Sequence, residues 1–209
     1  NLSQFIQNFY FPDFSVLSNP DVYKIGIVFE PLGIHQFLRE EIAINERACS
    51  PTFHFFEDAF VRLLFQPGQL KEIASLLDKQ LLQLFTPKEN AYLSKAIQML
   101  NAVDHEVSID ELAEIKLGIS RKHLNRLFKQ YIGVSAQKYR SIVRFRQLMN
   151  HKLHQNERQN LTMLSHQVHY TDQSHFIKAC KQLTGLTPSQ LFKTGEVVGS
   201  EDTFWNFAK

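Results

Sequence analysis

The sequence predicts a mostly α-helical protein: a C-terminal double helix-turn-helix domain preceded by a smaller α+β fragment. Three observations carry that expectation. Apolar residues recur at i, i+3 and i+4 through most of the chain, the period of an amphipathic helix. A pattern of short helix, tight turn and capped second helix occurs twice, with the two caps 52 residues apart. One stretch, residues 22–29 (VYKIGIVF), has instead the β-branched and aromatic content of a strand.

Residues 1–19 are aromatic-rich, with Phe5, Phe9, Tyr10, Phe11 and Phe14, and read as an irregular segment that packs on something. The strand at 22–29 is ended by Pro31 and Gly33, and a short helix follows over 34–41. Residues 55–65 form a helix with Phe56, Phe60, Leu63 and Leu64 inward, broken by Pro67-Gly68. Residues 70–85 make a stronger helix on Leu70, Ile73, Ala74, Leu77, Leu81, Leu84 and Phe85. Leu76 and Leu82 widen its apolar face, so both a dimer seam and packing within its own domain fit the pattern. Thr86-Pro87 then opens a helix running to Asn101, with Ile97, Met99 and Leu100 apolar.

The first copy of the repeated pattern covers residues 108–131, SIDELAEIKLGISRKHLNRLFKQY. Ser108 and Asp110 are helix-start residues, and Ile109, Leu112, Ala113 and Ile115 give an apolar face. Gly118 takes the turn, where positive φ is cheap for glycine. Ser120 caps a second helix whose Leu124, Leu127 and Phe128 face inward. Arg121, Lys122, Asn125, Arg126 and Lys129 are left outward. Phosphates favour the cations, and base edges in a major groove favour Arg, Lys and Asn. Alone, the stretch also fits an ordinary helical hairpin with a solvated basic face. Gly133 and Ser135 then open a long helix over 136–153, a rod of roughly 27 Å at 1.5 Å per residue.

The second copy follows a polar loop at 156–160. Residues 161–168 form a short helix, His169-Tyr170 the turn, and Asp172 caps a helix over 173–183 with Phe176, Ile177, Cys180 and Leu183 inward. Gly185-Leu186-Thr187 then repeats Gly133-Val134-Ser135. Two such units on a rod of nearly one DNA turn can enter successive major grooves, which repeat at ~34 Å.

Charge divides the chain the same way. Residues 1–93 carry seven Lys/Arg against eleven Asp/Glu, net −4; residues 94–195 carry fifteen against seven, net +8, with seven of the nine histidines. A basic half joined to an acidic half points to a polyanion partner for one of them. Other classes lack their signals. No run of about 18 apolar residues exists to span a membrane. Cys49 and Cys180 are far apart with no CxxC, which fits a cytoplasmic protein with reduced thiols and neither a disulfide framework nor a zinc site. His151/His154 and His166/His169 have i, i+3 spacing, but no carboxylate or cysteine completes a metal site. There is no GxSxG elbow and no GxxxxGKS loop, no cofactor is implied, and an enzyme is not expected.

LAEIKLGISRKHLNRLFKQYIGVS and YTDQSHFIKACKQLTGLTPSQLF resemble the two helix-turn-helix units of the AraC/XylS family of transcription regulators, in the right order and spacing. The resemblance covers residues 94–194. It implies a seven-helix DNA-binding domain, here 93–195, with a C-terminal tail at 196–209. It puts base-reading positions on Lys122, Asn125, Arg126, Gln173, Ser174 and Lys178, and backbone contacts on Ser120, Arg121, Ser135 and Thr187. Arg144 and Arg146 on the long helix can touch phosphate, or Arg144 can pair with an acid between the subdomains, where the resemblance places an arginine. The family's alkyl-acceptor enzymes use a reactive, metal-held cysteine, and Cys49 has no neighbouring cysteine or cation cluster to activate it. The second unit departs from the family at three places: His169 for Gly, Ser165 for Ala and Cys180 for Phe.

Residues 22–92 resemble the back half of a regulatory domain found in Bacteroidetes-type members, carried by VFEPLGIHQFL and the acidic, aromatic helices after it. That makes 1–92 a sensor or dimerisation region trimmed at its start. Double-stranded DNA is then the main partner. A small-molecule effector at the N-terminal region, a homodimer and, for an activator, RNA polymerase are the further partners implied, with no membrane. The alternative is a ligand-binding or protein-interaction module with a vestigial DNA unit.

Overall fold

A computed structural model describes residues 25–38, 55–66, 68–102, 107–154, 173–197 and 204–206. The expectations at 1–19, 156–172 and Cys49 lie outside these residues.

Two cores, not one, hold the C-terminal half, and a single helix runs between them. Helix α1 (Asp58–Leu64) and α2 (Leu70–Leu84) precede it. Helix α3 (Ala91–Asn101) starts at Asn90, whose side chain accepts from the Leu93 amide at 3.1 Å. A short helix, α4 (Ile109–Glu111), is capped by Ser108 through the Glu111 amide at 3.0 Å. It runs directly into a π-helical turn, Leu112–Lys116. Helix α5 (Arg121–Tyr131) and the long α6 (Ala136–His154) complete the first unit. Leu93, Ala96, Leu112, Ala113, Leu124, Phe128 and Ala136 are fully buried together, and Tyr139 of α6 closes this core.

The far end of α6 belongs to the second core. Its Leu148 and Met149 pack with Phe176 and Cys180 of α7 (Gln173–Thr184) and Leu191 of α8 (Pro188–Thr194). Nineteen residues make α6 a rod of about 28 Å. Each end is gripped by a different cluster, so the rod fixes one cluster relative to the other. After α8 comes a small antiparallel ribbon, β1 (Gly195–Val197) paired with β2 (Phe204–Asn206). The sequence reading gave no sign of it.

Several expectations need correction. Among the described residues before 93 there is no strand, so the α+β description of this fragment does not hold there. The physical reason is visible at residues 25–30. They alternate half-buried and exposed, the period-2 habit of extended chain, but among the described residues no strand pairs with them. Phe29 instead joins an aromatic cluster, 5.3 Å from Phe37 and 6.1 Å from Phe55 between ring centres. The short helix expected at 34–41 is a single 3-10 turn, Gly33–Gln36. Helix α3 begins at Ala91 rather than at Thr86-Pro87. Ile115, expected inward, is 74% exposed, because the wider π turn rotates it out of the apolar face.

Among the described residues, the turn around His35 joins the N-terminal fragment to the first unit. His35, 8% exposed, lies at the end of α5, where its Nε2 donates to the Tyr131 carbonyl at 2.7 Å. The carbonyl can only accept, which fixes the proton on Nε2. The His35 and Tyr131 rings meet edge-on at 5.2 Å. Leu32, in the left-handed region at φ 68, packs against the first core beside it. The Thr86 amide and Lys88 Nζ donate to the carbonyls of Gln36 and Leu38 at 2.7 and 2.8 Å, tying this turn to the segment before α3.

Candidate nucleic-acid interface

Helix α5 sorts its residues by spacing. Leu124, Leu127 and Phe128 enter the core, and Arg121, Lys122, Arg126 and Lys129 remain exposed on the other side. The helix is set by its turn. Gly118 sits at φ +68 with nothing within 4 Å of a built Cβ, so the backbone angle rather than space calls for glycine. Ser120 Oγ then accepts from the His123 amide at 3.2 Å. Lys95 of α3 closes the π turn from outside, donating to the Lys116 carbonyl at 3.0 Å.

The expected DNA-contacting residues of this unit divide sharply. Lys122 is exposed and bonds to no other described residue. Arg126 is exposed, with its Nη2 3.4 Å from His123 Nδ1. His123 in turn lies edge-on to Tyr92 of α3 at 6.3 Å. Arg121 is already paired: its Nη1 donates to both carboxylate oxygens of Asp110 at 3.1 and 3.0 Å. Asn125 differs most from expectation. It is half-buried, and its Oδ1 accepts the Ala136 amide at 3.1 Å. That bond occupies one lone pair of Oδ1 and holds the amide toward α6, which works against a paired contact to adenine. Ser120 and Ser135 also serve as caps, Ser135 Oγ accepting from the Lys138 amide at 3.2 Å.

The second unit is described from α7 onward. Ser174 and Lys178 are exposed on α7, opposite the buried Phe176 and Cys180. Gln173 is the first residue of that helix, and its side chain lies outside the description. Thr187 Oγ1 accepts from the Gln190 amide at 3.3 Å, while Gln190 Oε1 accepts from the Thr187 amide at 3.0 Å. This is a reciprocal capping box. The Thr-x-x-Gln spacing announces it in the sequence, where the reading took Thr187 alone. Burial pushes the Cys180 thiol up from its ordinary 9.0, partly offset by the Thr184 hydroxyl, so it stays protonated near neutral pH. Cys180 is a small, fully buried side chain of the second core.

The joints match. In each unit a glycine in the left-handed region, Gly133 at φ 87 and Gly185 at φ 73, follows the outward-facing helix. Two residues on, a hydroxyl caps the next helix. Residues 112–194 match the helix-turn-helix domain family. The matched stretch takes in α6, the second core and the part of the first core from Leu112 onward. Over 197 residues the chain is 24% identical to an uncharacterized HTH-type transcriptional regulator of Haemophilus influenzae. That alignment takes in 93% of this chain and 63% of the relative, so the chain spans under two thirds of the relative's length. No solved structure gives a significant match. Both matches support the AraC-like resemblance of the helix-turn-helix domain, and neither bears on residues 22–92 as a Bacteroidetes-type regulatory region.

Among the described residues no three His, Cys, Asp or Glu side chains gather into a metal-binding group. Among them also, no helix is long and apolar enough to cross a membrane.

Proposed function

We propose that the chain is a sequence-specific DNA-binding transcription regulator of the AraC type, using two helix-turn-helix units in successive major grooves. The observation that carries this reading is the repeated joint. α5, Gly133, Ser135 and α6 are matched by α7, Gly185, Thr187 and α8, and each outward helix carries exposed cations. A rod of about 28 Å between the units suits grooves that repeat at ~34 Å. Lys122 and Arg126 in the first unit, with Gln173, Ser174 and Lys178 in the second, read base edges. Arg121 and the helix starts at Ser120, Ser135 and Thr187 meet the phosphates.

The N-terminal region is the regulatory part, cytoplasmic like the rest, and takes a small-molecule effector. Its relation to Bacteroidetes-type regulatory domains rests on sequence likeness alone. Helix α2 supplies the homodimer surface: none of its fifteen residues is buried, and Leu70 and Leu82 are 85% and 76% exposed. A monomer at every concentration in sedimentation refutes that. RNA polymerase is a partner if the regulator activates. No catalytic role is proposed.

Selection from random duplexes tests the main reading. A bipartite motif is expected, and no enriched motif favours the alternative of an interaction module. If about six phosphates are contacted, log K falls against log salt with a slope of about −5. Arg126→Ala should cost about 1–3 kcal/mol and relax preference at one base pair. A uniform loss across all sequences would reassign Arg126 to a phosphate.

A further inference from the structure

Asn125 sits on the helix that faces DNA, yet its side chain points to the protein. Its Oδ1 holds the amide of Ala136, the first residue of α6, and Ala136 is fully buried. A helix start leaves its first amides without partners. Here one is satisfied from α5 and another by Ser135 within the joint. The bond therefore links the outward helix of the first unit to the rod that carries the second. Other contacts crowd the same end of α6. Tyr139 packs on Phe128 at 5.4 Å, and Arg140 donates to the Val107 carbonyl at 2.9 Å. Asn125 adds a side-chain hydrogen bond from α5 itself.

We propose that Asn125 is a positioning residue that sets the distance between the two DNA-reading helices, and that it does not read a base. This rests on the two-unit reading above. The lever arm gives the size of the effect. From Ala136 to Leu148, where α6 enters the second core, is about 18 Å. A tilt of about 10° at the near end moves the far end by about 3 Å, close to the rise of one base pair, ~3.4 Å. Small errors at this joint thus become errors of one base pair in spacing.

Two measurements on the full chain test it. The first is hydrogen exchange of the Ala136 amide without DNA. Asn125→Ala should exchange about five- to tenfold faster, the scale of one lost hydrogen bond. Asn125→Asp, which keeps the acceptor, should stay near wild type. Unchanged protection in Asn125→Ala overturns the proposal. The second is selection from random duplexes with variable spacers. Asn125→Ala should keep the base preferences of both half-motifs and accept spacers one base pair longer or shorter, and Asn125→Asp should keep the wild-type spacer despite weaker binding. Loss of preference at one base position with the spacer intact overturns the proposal and makes Asn125 a base reader. If wild type yields no bipartite motif, the two-unit reading fails and the spacing role falls with it. The exchange result still shows separately whether the anchor is real.

Discussion

Asp110→Asn should make the protein bind DNA more tightly while making it slightly less stable. Arg121 stands at the start of α5, the helix proposed to face DNA, but both its short contacts go to the Asp110 carboxylate. The side chains of the pair are 51% and 56% exposed, so the ion pair is worth about 0.2–1 kcal/mol. Asp110 also lies in the first turn of α4, where a negative charge gains about 0.3–1 kcal/mol from the helix dipole. The variant should therefore lose on the order of 1 kcal/mol, about 2–4 °C in a chain of this size. Binding moves the other way. Removing the carboxylate takes a repulsive charge from the phosphate-facing end of α5 and releases one guanidinium. One added phosphate contact steepens the log K against log salt plot by about 0.9, which is about eightfold in affinity at 0.1 M salt. Anisotropy titrations across a salt series read both quantities, with a melting curve to confirm the fold. An unchanged slope and unchanged affinity in a folded variant would show that Arg121 does not face phosphate, and would remove it from the interface.

Three other outcomes can be checked on the DNA-free protein. His35→Ala removes the hydrogen bond to the Tyr131 carbonyl at the end of α5, and should cost about 0.5–1.5 kcal/mol in denaturant unfolding; no change would mean that this contact holds nothing. Gly118→Ala should cost about 1–2 kcal/mol from the left-handed backbone alone, since the space around it is open, and neutral behaviour would point to a turn that can rearrange. Stability should fall as pH rises past about 9: below the ordinary thiol value of 9.0 Cys180 is protonated folded and unfolded alike, and above it the unfolded chain ionises first. Cys180→Ala should flatten that alkaline slope, and an unaltered slope would assign it to another group.

How much of this was legible in advance depended on the kind of signal. Local rules survived. The inward triad Leu124, Leu127 and Phe128, the Ser108 and Ser120 caps, and the turns at Gly118, Gly133 and Gly185 all follow from spacing and backbone freedom, which sequence carries directly. What failed needed a partner. Residues 25–30 keep the alternation of a strand, but whether an extended segment becomes one depends on a second segment to pair with, and none is present among the described residues. Ile115 was misplaced because periodicity assumes an α-helix, and a π turn changes the angle per residue. The interface was legible as a charged face, not as roles. Nothing local distinguishes Asn125, which anchors α6, from Lys122, which bonds to no other described residue; that depends on where Ala136 lies after the joint.

The side chains of α5 therefore need to be taken as two sets that share one helix. One set fixes the helix: Asn125 to α6, Arg121 to α4, and the Tyr131 carbonyl to His35 of the N-terminal fragment. The other set, Lys122 and Arg126, projects from it. Rigid side chains on a loosely held helix discriminate poorly, because the helix moves to relieve a mismatch. Long, mobile side chains on a well-held helix discriminate better, because a mismatch cannot be relieved by moving the backbone. The anchors come from three different elements and act at the start, middle and end of α5. His35 holds α5 at the end of the helix farthest from Arg121.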